Sequence, residues 1–278
     1  MDHRNGFTLP TMVSEDSHRP GPHRQDASPI GQAQLLHRYP SDHSITPEEL
    51  VVVSWNLAKP RTEQAFAQVE ELSSDHQAQL LAFQESTQSL RLPEHLGSHF
   101  VRSHGVHGVT SAASVQPTTA EGIASRSREL RVATRKMALI TTYPLPDGRS
   151  VLLANVHALN FDRHGRRFTQ QMQDLAWRIK EHSGPILFCG DFNTWNSGRL
   201  QTLWGVVQSM GLIEIEPSKG SGRRGHAGAL GNRILGVDTE MHLDRLFQRG
   251  MELLEAHWLE DYDISDHVPL LARLKILD

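Results

Sequence analysis

The chain has 278 residues, 38% hydrophobic and 22% charged, an ordinary globular balance with room for one large domain or two small ones. A net charge of −4 argues against a protein whose overall field grips duplex phosphates, so any phosphate-bearing partner must meet a local basic patch. The single cysteine, Cys189, excludes an intrachain disulfide framework, and no apolar run is long enough to span a bilayer or shaped like a signal peptide. The cytoplasm is therefore the default compartment, with no membrane expected as a partner.

Residues 1–46 hold five of the 14 prolines and five of the 17 histidines, with few apolar residues. This composition predicts a flexible tail, ordered only where Leu35-Leu36 meets a domain spanning 47–278. Val51–Trp55 reads as a strand closed by Asn56, and Phe66, Val69 and Leu72 place a helix from Thr62 to about residue 74. Leu80–Phe83 is a short buried strand ending in Gln84-Glu85. Residues 90–122 have loop composition, with room for a strand near His99–Arg102.

Gly122–Ser125, Lys136–Tyr143 and Ser150–His157 predict three strands of a meander, the last two joined by the turn-forming Pro144–Gly148. Phe168, Met172, Leu175 and Ile179 make Arg166–His182 an amphipathic helix. Ser197 reads as the cap of a further helix that ends at Gly211. Met241–Phe247 and Met251–Trp258 suggest a hairpin around Arg249-Gly250, and Val268–Ile276 closes the chain as a strand. Hairpins among alternating strands and helices predict an α/β (α+β) fold with a mixed two-sheet core and helices outside.

Pro185–Asn193 is the centre of the pattern: four apolar residues, a glycine, then Asp191 and Asn193 just past a doubly buried strand. Alone, Asp-x-Asn is ordinary turn chemistry, and Cys189 beside it is ordinary packing. Other strand ends carry matching groups: Asn56, Glu85 and His157, with Asp244 inside Leu243–Phe247 and Asp266-His267 ahead of the last strand. The set holds acids, amides and imidazoles and lacks Ser, Cys and Lys nucleophiles. That inventory suits hydrolysis by a water assisted by a hard divalent cation; the Cys/His spacing of a zinc site is missing.

Ser54-Trp55-Asn56, Phe83-Gln84-Glu85, Asn155-Val156-His157, Gly190–Asn193, Leu243–Phe247 and Ser265–Leu270 occur in the order found in the endonuclease/exonuclease/phosphatase (DNase I-like) superfamily, which the chain resembles over about residues 50–276. Tyr143–Asp147, Asn155–Phe161 and His182–Pro185 further resemble the YafD-like bacterial proteins of that group. The resemblance implies a four-layer α/β/β/α sandwich and a Mg²⁺- or Mn²⁺-dependent hydrolase of phosphoric esters. It assigns Glu85 and Asn56 to the metal, with Asp266 as a further metal or phosphate-site residue. Asp191 positions or deprotonates the attacking water, and Asn193 holds that water or a phosphate oxygen. His267 binds the scissile phosphate, Asp244 orients either His157 or His267, and His157 matches members in which a second histidine acts as general acid.

Three functions fit these expectations. The first is a nuclease cutting phosphodiesters by in-line attack, with Arg126–Lys136, Arg163–Arg167 and the Gly-rich Lys219–Arg233, which holds Arg223 and Arg224, tracking the backbone. The second is a phosphatase or phosphodiesterase on a small or lipid-derived substrate. The third is a catalytically silent phosphate-binding module. None of them calls for an obligate protein partner.

Overall fold

The computed structural model describes residues 33–40, 44–129, 134–162, 164–220, 222 and 242–278. In chain order the elements are β1 (Gln34–His37), β2 (Leu50–Asn56), α1 (Glu63–Asp75), β3 (Leu80–Thr87), β4 (Gly97–His104), β5 (His107–Ala113), β6 (Thr119–Ala124), β7 (Met137–Pro144), β8 (Ser150–His157), α2 (Arg166–Ile179), β9 (Ile186–Asp191), α3 (Ser197–Ser209), β10 (Ile213–Glu214), β11 (Asp244–Arg249), β12 (Met251–Trp258) and β13 (Leu270–Ile276).

Side-chain alternation sorts these elements into layers. Leu50 and Val52 of β2 enter a central core together with Leu187 and Cys189 of β9. The alternate residues Val51, Val53 and Trp55 turn outward under Phe66, Val69 and Leu72 of α1. Ile186 and Phe188 of β9 likewise turn outward, beneath Phe168 and Met172 of α2 and Leu203 and Val207 of α3. The result is the α/β/β/α sandwich. One sheet runs β1-β4-β5-β3-β2-β13-β12 and the other β10-β11-β9-β8-β7-β6. Both are mixed: β2 runs parallel to β3 and β8 parallel to β9, while the remaining neighbours are antiparallel. No helix among the described residues is long and apolar enough to cross a membrane.

Several expectations are corrected. The segment around Arg249-Gly250 does bend, with Gly250 at φ +75°, but β11 and β12 do not pair. β11 joins β9 in one sheet and β12 joins β13 in the other, so the bend carries the chain across the sandwich. The cap of α3 is Asn196, whose side chain accepts from the Arg199 N–H, and not Ser197. The sheet reaches back past residue 47: β1, on the Leu35-Leu36 segment expected to be ordered, adds to the edge of β4, and Ile45 is buried in the central core. The stretch 90–122 holds β4, β5 and the start of β6. β4 spans the strand expected near His99–Arg102, whereas β5, rich in small and polar residues, carries no comparable signal.

β8 and β9 lie so close at Gly190 that a Cβ there would meet the Val156 carbonyl oxygen at 2.0 Å, and its φ is +134°. Gly190→Ala is therefore expected to cost at least about 2 kcal/mol, read as a lower midpoint in urea denaturation; an unchanged midpoint would show that the strand pair can spread.

Candidate active site

Strand register builds the centre of the site. On β8, β9 and β11, His157, Asp191 and Asp244 are directly paired positions, forming one row at the end of the sheet. β2 lies in the opposite sheet, and Asn56 at its end donates from Nδ2 to Asp191 Oδ2 at 3.0 Å. Asn193 adds two more donors to Asp191: its backbone N–H to Oδ1 at 2.9 Å and its Nδ2 to Oδ2 at 3.1 Å. A left-handed backbone at Asn193 (φ +50°) permits both contacts at once, a conformation that asparagine tolerates better than most residues. Burial raises the Asp191 carboxyl to about 6, and the Asp244 charge adds to the rise, against the pull of His267, Lys136 and the Asn193 N–H.

His267 resolves the question of Asp244's partner. Its Nδ1 donates to Asp244 Oδ2 at 2.5 Å, while its backbone N–H donates to Ser265 Oγ, which itself donates to the Asn56 carbonyl at 2.7 Å. The Trp55 indole N–H fixes the His267 carbonyl at 3.0 Å. Burial alone would depress His267, but the Asp244 charge and hydrogen bond, helped by Asp191 and Asp266, raise it to about 10. His267 is thus an imidazolium with Nε2–H left to donate.

His157 has the opposite state. Burial, then the charges of Lys136, His267 and Lys59, hold it well below the usual histidine range. Its Nε2 lies 2.7 Å from Lys136 Nζ, and because an ammonium only donates, Nε2 is the acceptor and carries no proton. In this arrangement His157 is not set up as a general acid through Nε2. The Lys136 ammonium also lies 3.9 Å from Glu85 Oε1 and 3.8 Å from the buried Glu129 carboxylate.

Glu85 sits at a bulge where the β3–β5 pairing shifts between Phe83 and Ser86, in a left-handed conformation (φ +48°). A non-glycine residue held there marks a position fixed by its surroundings. Its carboxylate stands 3.2 Å from Lys59 Nζ and 3.6 Å from His157 Nε2. Ala58 and Lys59 are left-handed too (φ +49° and +62°), in a turn pinned by Ala58 N–H to Asn56 Oδ1 at 3.0 Å and Lys59 N–H to the Glu85 carbonyl at 3.1 Å. Beside this turn lies a groove of about 530 Å³ lined by Lys59, Arg61, the first turn of α1 and Asp263.

The structure thus brings Asn56, Glu85, His157, Asp191, Asn193, Asp244 and His267 together. Asp266 stands at the rim, its side chain 64% exposed and 3.9 Å from His267 Nε2. Arg223 and Arg224 lie outside the described residues, as does Arg163. The other basic segments are partly engaged internally: Arg126 pairs with Asp174 at 2.7 Å, Arg135 donates to the Ser125 and Arg126 carbonyls, and Arg167 donates to the Arg128 carbonyl. Sequence reasoning missed Lys59 and Glu129, and saw Lys136 only as the end of a basic run. The meander register, which pairs Ala138 with Val156, was the signal that could have set Lys136 beside His157.

The donor set fits a hard cation. Glu85 and Asn56 offer carboxylate and amide oxygens, Asp244 Oδ1 is a buried acceptor without a hydrogen-bond partner among the described residues, and Cys189 is buried in β9. Among the described residues no three acidic, His or Cys side chains form a ready-made cage. Mg²⁺ does not need one, since it keeps waters and binds through one or two carboxylates plus substrate phosphate.

Comparison with known proteins identifies the family. The Endonuclease/Exonuclease/phosphatase family model matches residues 53–267, ending on His267. The chain belongs to this family, whose members are generally hydrolases of phosphoric esters. A UPF0294 protein of Yersinia enterocolitica is 32% identical over 239 residues, covering 83% of this chain and 85% of that protein. Among solved structures, D. rerio TDP2 complexed with a single-strand DNA product superposes with a TM-score of 0.58 at 14% identity, covering 81% of this chain and 98% of that one. The Bacteroides thetaiotaomicron mannosyl-6-phosphatase Bt3783 gives 0.59 at 16%, covering 81% and 99%. At such identities the structural likeness concerns the fold.

Glu85→Gln is expected to weaken Mn²⁺ binding at least about tenfold by calorimetry on folded protein. Equal affinity would remove Glu85 from the metal site.

Proposed function

We propose that the chain is a divalent-metal-dependent phosphodiesterase of the cytoplasm, acting on nucleic-acid backbones by in-line attack of water. The observation that carries this reading is the pairing of opposite roles in one cleft. Asp191, a buried carboxylate whose pKa is raised to about 6, sits with the imidazolium His267, which Asp244 holds in place.

Asp191 takes the proton of the attacking water, and Asn56 and Asn193 hold its carboxylate in place, two donors on Oδ2 and one on Oδ1. Asn193 stands beside the same water. His267 Nε2–H donates to a non-bridging phosphate oxygen, stabilising the charge that grows in the transition state. Lys136, kept in place by neutral His157, adds a second positive charge on the Glu85 side. The chemistry supplied by a divalent cation held at Glu85 and Asn56 is Lewis-acid polarisation of the phosphate and neutralisation of the leaving oxygen. Asp266, at the rim, would serve as a further residue for the cation or the phosphate.

Support for a polymeric substrate comes from the groove beside Glu85. It runs along Lys59, which reaches Glu85 at 3.2 Å, and Arg61, and Asp263, the one acid in its lining among the described residues, is engaged with Gln68 at 3.0 Å. Arg223 and Arg224 belong to the same reading as additional phosphate contacts.

Purified protein assayed against single- and double-stranded DNA, RNA and small phosphate esters is expected to cleave the polymers with Mg²⁺ or Mn²⁺ and to stop in EDTA. Asp191→Asn and His267→Ala should each lower turnover at least about 10²-fold with circular dichroism unchanged. Preference for small esters would move the protein to the phosphatase reading; binding without turnover would make it a phosphate-binding module. Lys59→Ala and Arg61→Ala should each flatten the log–log salt dependence of DNA binding by about one unit. An unaltered slope would take the groove out of the binding face.

A further inference from the structure

Arg199 is buried to 2% exposure in the first turn of α3. This is a poor place for a cation on stability grounds. The helix N-terminus carries positive partial charge, and removing a guanidinium from water is costly unless its donors are used. Here the donors that are used go to the backbone of the site. Nε donates to the Asn193 carbonyl at 2.7 Å and Nη2 donates to the Leu159 carbonyl. The guanidinium lies over Phe168 at 4.1 Å and near Trp195 at 5.3 Å, which hold its plane. Nη1 has no hydrogen-bond partner among the described residues, so the fork is committed to those two carbonyls.

The two carbonyls belong to different loops. Leu159 follows His157 after β8, and Asn193 follows Asp191 after β9. Asn193 also donates to the Ala158 carbonyl at 3.0 Å, so the loops are joined at adjacent points. Asn193 needs such support because its left-handed backbone is what lets one residue give two hydrogen bonds to Asp191.

We infer that Arg199 is a positioning residue for the reaction: its fork clamps the loops after β8 and β9 together and holds Asn193 in the conformation that orients Asp191. This rests on the proposed hydrolysis only for its kinetic readout. Lysine keeps the charge of Arg199 but lacks the planar two-point fork.

The test compares Arg199→Lys, Arg199→Met, Asn193→Ala and the Arg199→Lys/Asn193→Ala double variant. Arg199→Lys is expected to keep KM within about twofold and to lower kcat at least about tenfold, the scale set by a small misplacement of a reacting group. In the Asn193→Ala background the same change should lower kcat less than about twofold, because the clamp acts through Asn193. Wild-type kcat in Arg199→Lys, or equal losses in both backgrounds, would overturn the inference. A second readout needs no turnover: the Asn193 side-chain amide, followed by ¹⁵N NMR, should exchange at least about tenfold faster in Arg199→Lys and, if it folds, in Arg199→Met. Unchanged exchange would refute the clamp even in a protein without hydrolase activity. Faster exchange without any turnover in wild type would leave the clamp standing and refute the proposed function.

Discussion

The hydrogen bond from Asn56 to Asp191 spans the gap between the two sheets, and the site depends on that closure. The proposed base lies on β9 of one sheet, while the oxygens offered to a cation lie at the ends of β2 and β3 in the other. Beneath it, Gln84 of β3 donates to Asn155 of β8 at 2.7 Å, and Asn155 returns across the gap to the Thr110 carbonyl at 2.8 Å. An apolar core alone would let two twisted sheets slide by small amounts at little cost. Directional bonds in a dry layer do not, since a buried donor or acceptor left unpaired costs on the order of 1–3 kcal/mol. The Gln84–Asn155 bridge therefore sets the offset at which Asn56 reaches Asp191.

A second constraint is charge. Asp191, Asp244 and Glu129 are buried, and the cations that answer them are His267, Lys136 and Arg199. None of these acids relies on bulk solvent, which keeps the local dielectric low and each charge effective at short range. The same arrangement makes the site intolerant of single deletions, because removing one member strands its partner. Stability and activity are thus coupled at these positions, and a fold control belongs with every substitution among them.

Much of this was legible in the sequence because it is periodic or ordered. Phe66, Val69 and Leu72 marked α1, Ser150–His157 matched β8 residue for residue, and six strand-end motifs in a fixed order placed the polar residues of the site. What stayed hidden was set by tertiary geometry. Arg249-Gly250 has the chemistry of a hairpin turn, yet nothing local says whether the next strand pairs back or crosses to the other sheet. Lys59 reaches Glu85 only because Ala58 and Lys59 take left-handed conformations that neither residue type advertises. Arg199 looks like any polar residue in the first turn of a helix until Phe168, from another helix, is seen beneath it.

β13 lies between β2 and β12, and residues just ahead of it, Ser265 and His267, bond to Asn56 and Trp55 on β2. A ribosome therefore releases the base, the amides and the acidic oxygens long before the segment that brings the imidazolium and locks the first strand. Until β13 slots in between β2 and β12, the growing polypeptide holds a cleft without its imidazolium and a sheet with an open seam. Insertion of β13 between β2 and β12 thus makes assembly of the cleft wait for the segment that carries His267.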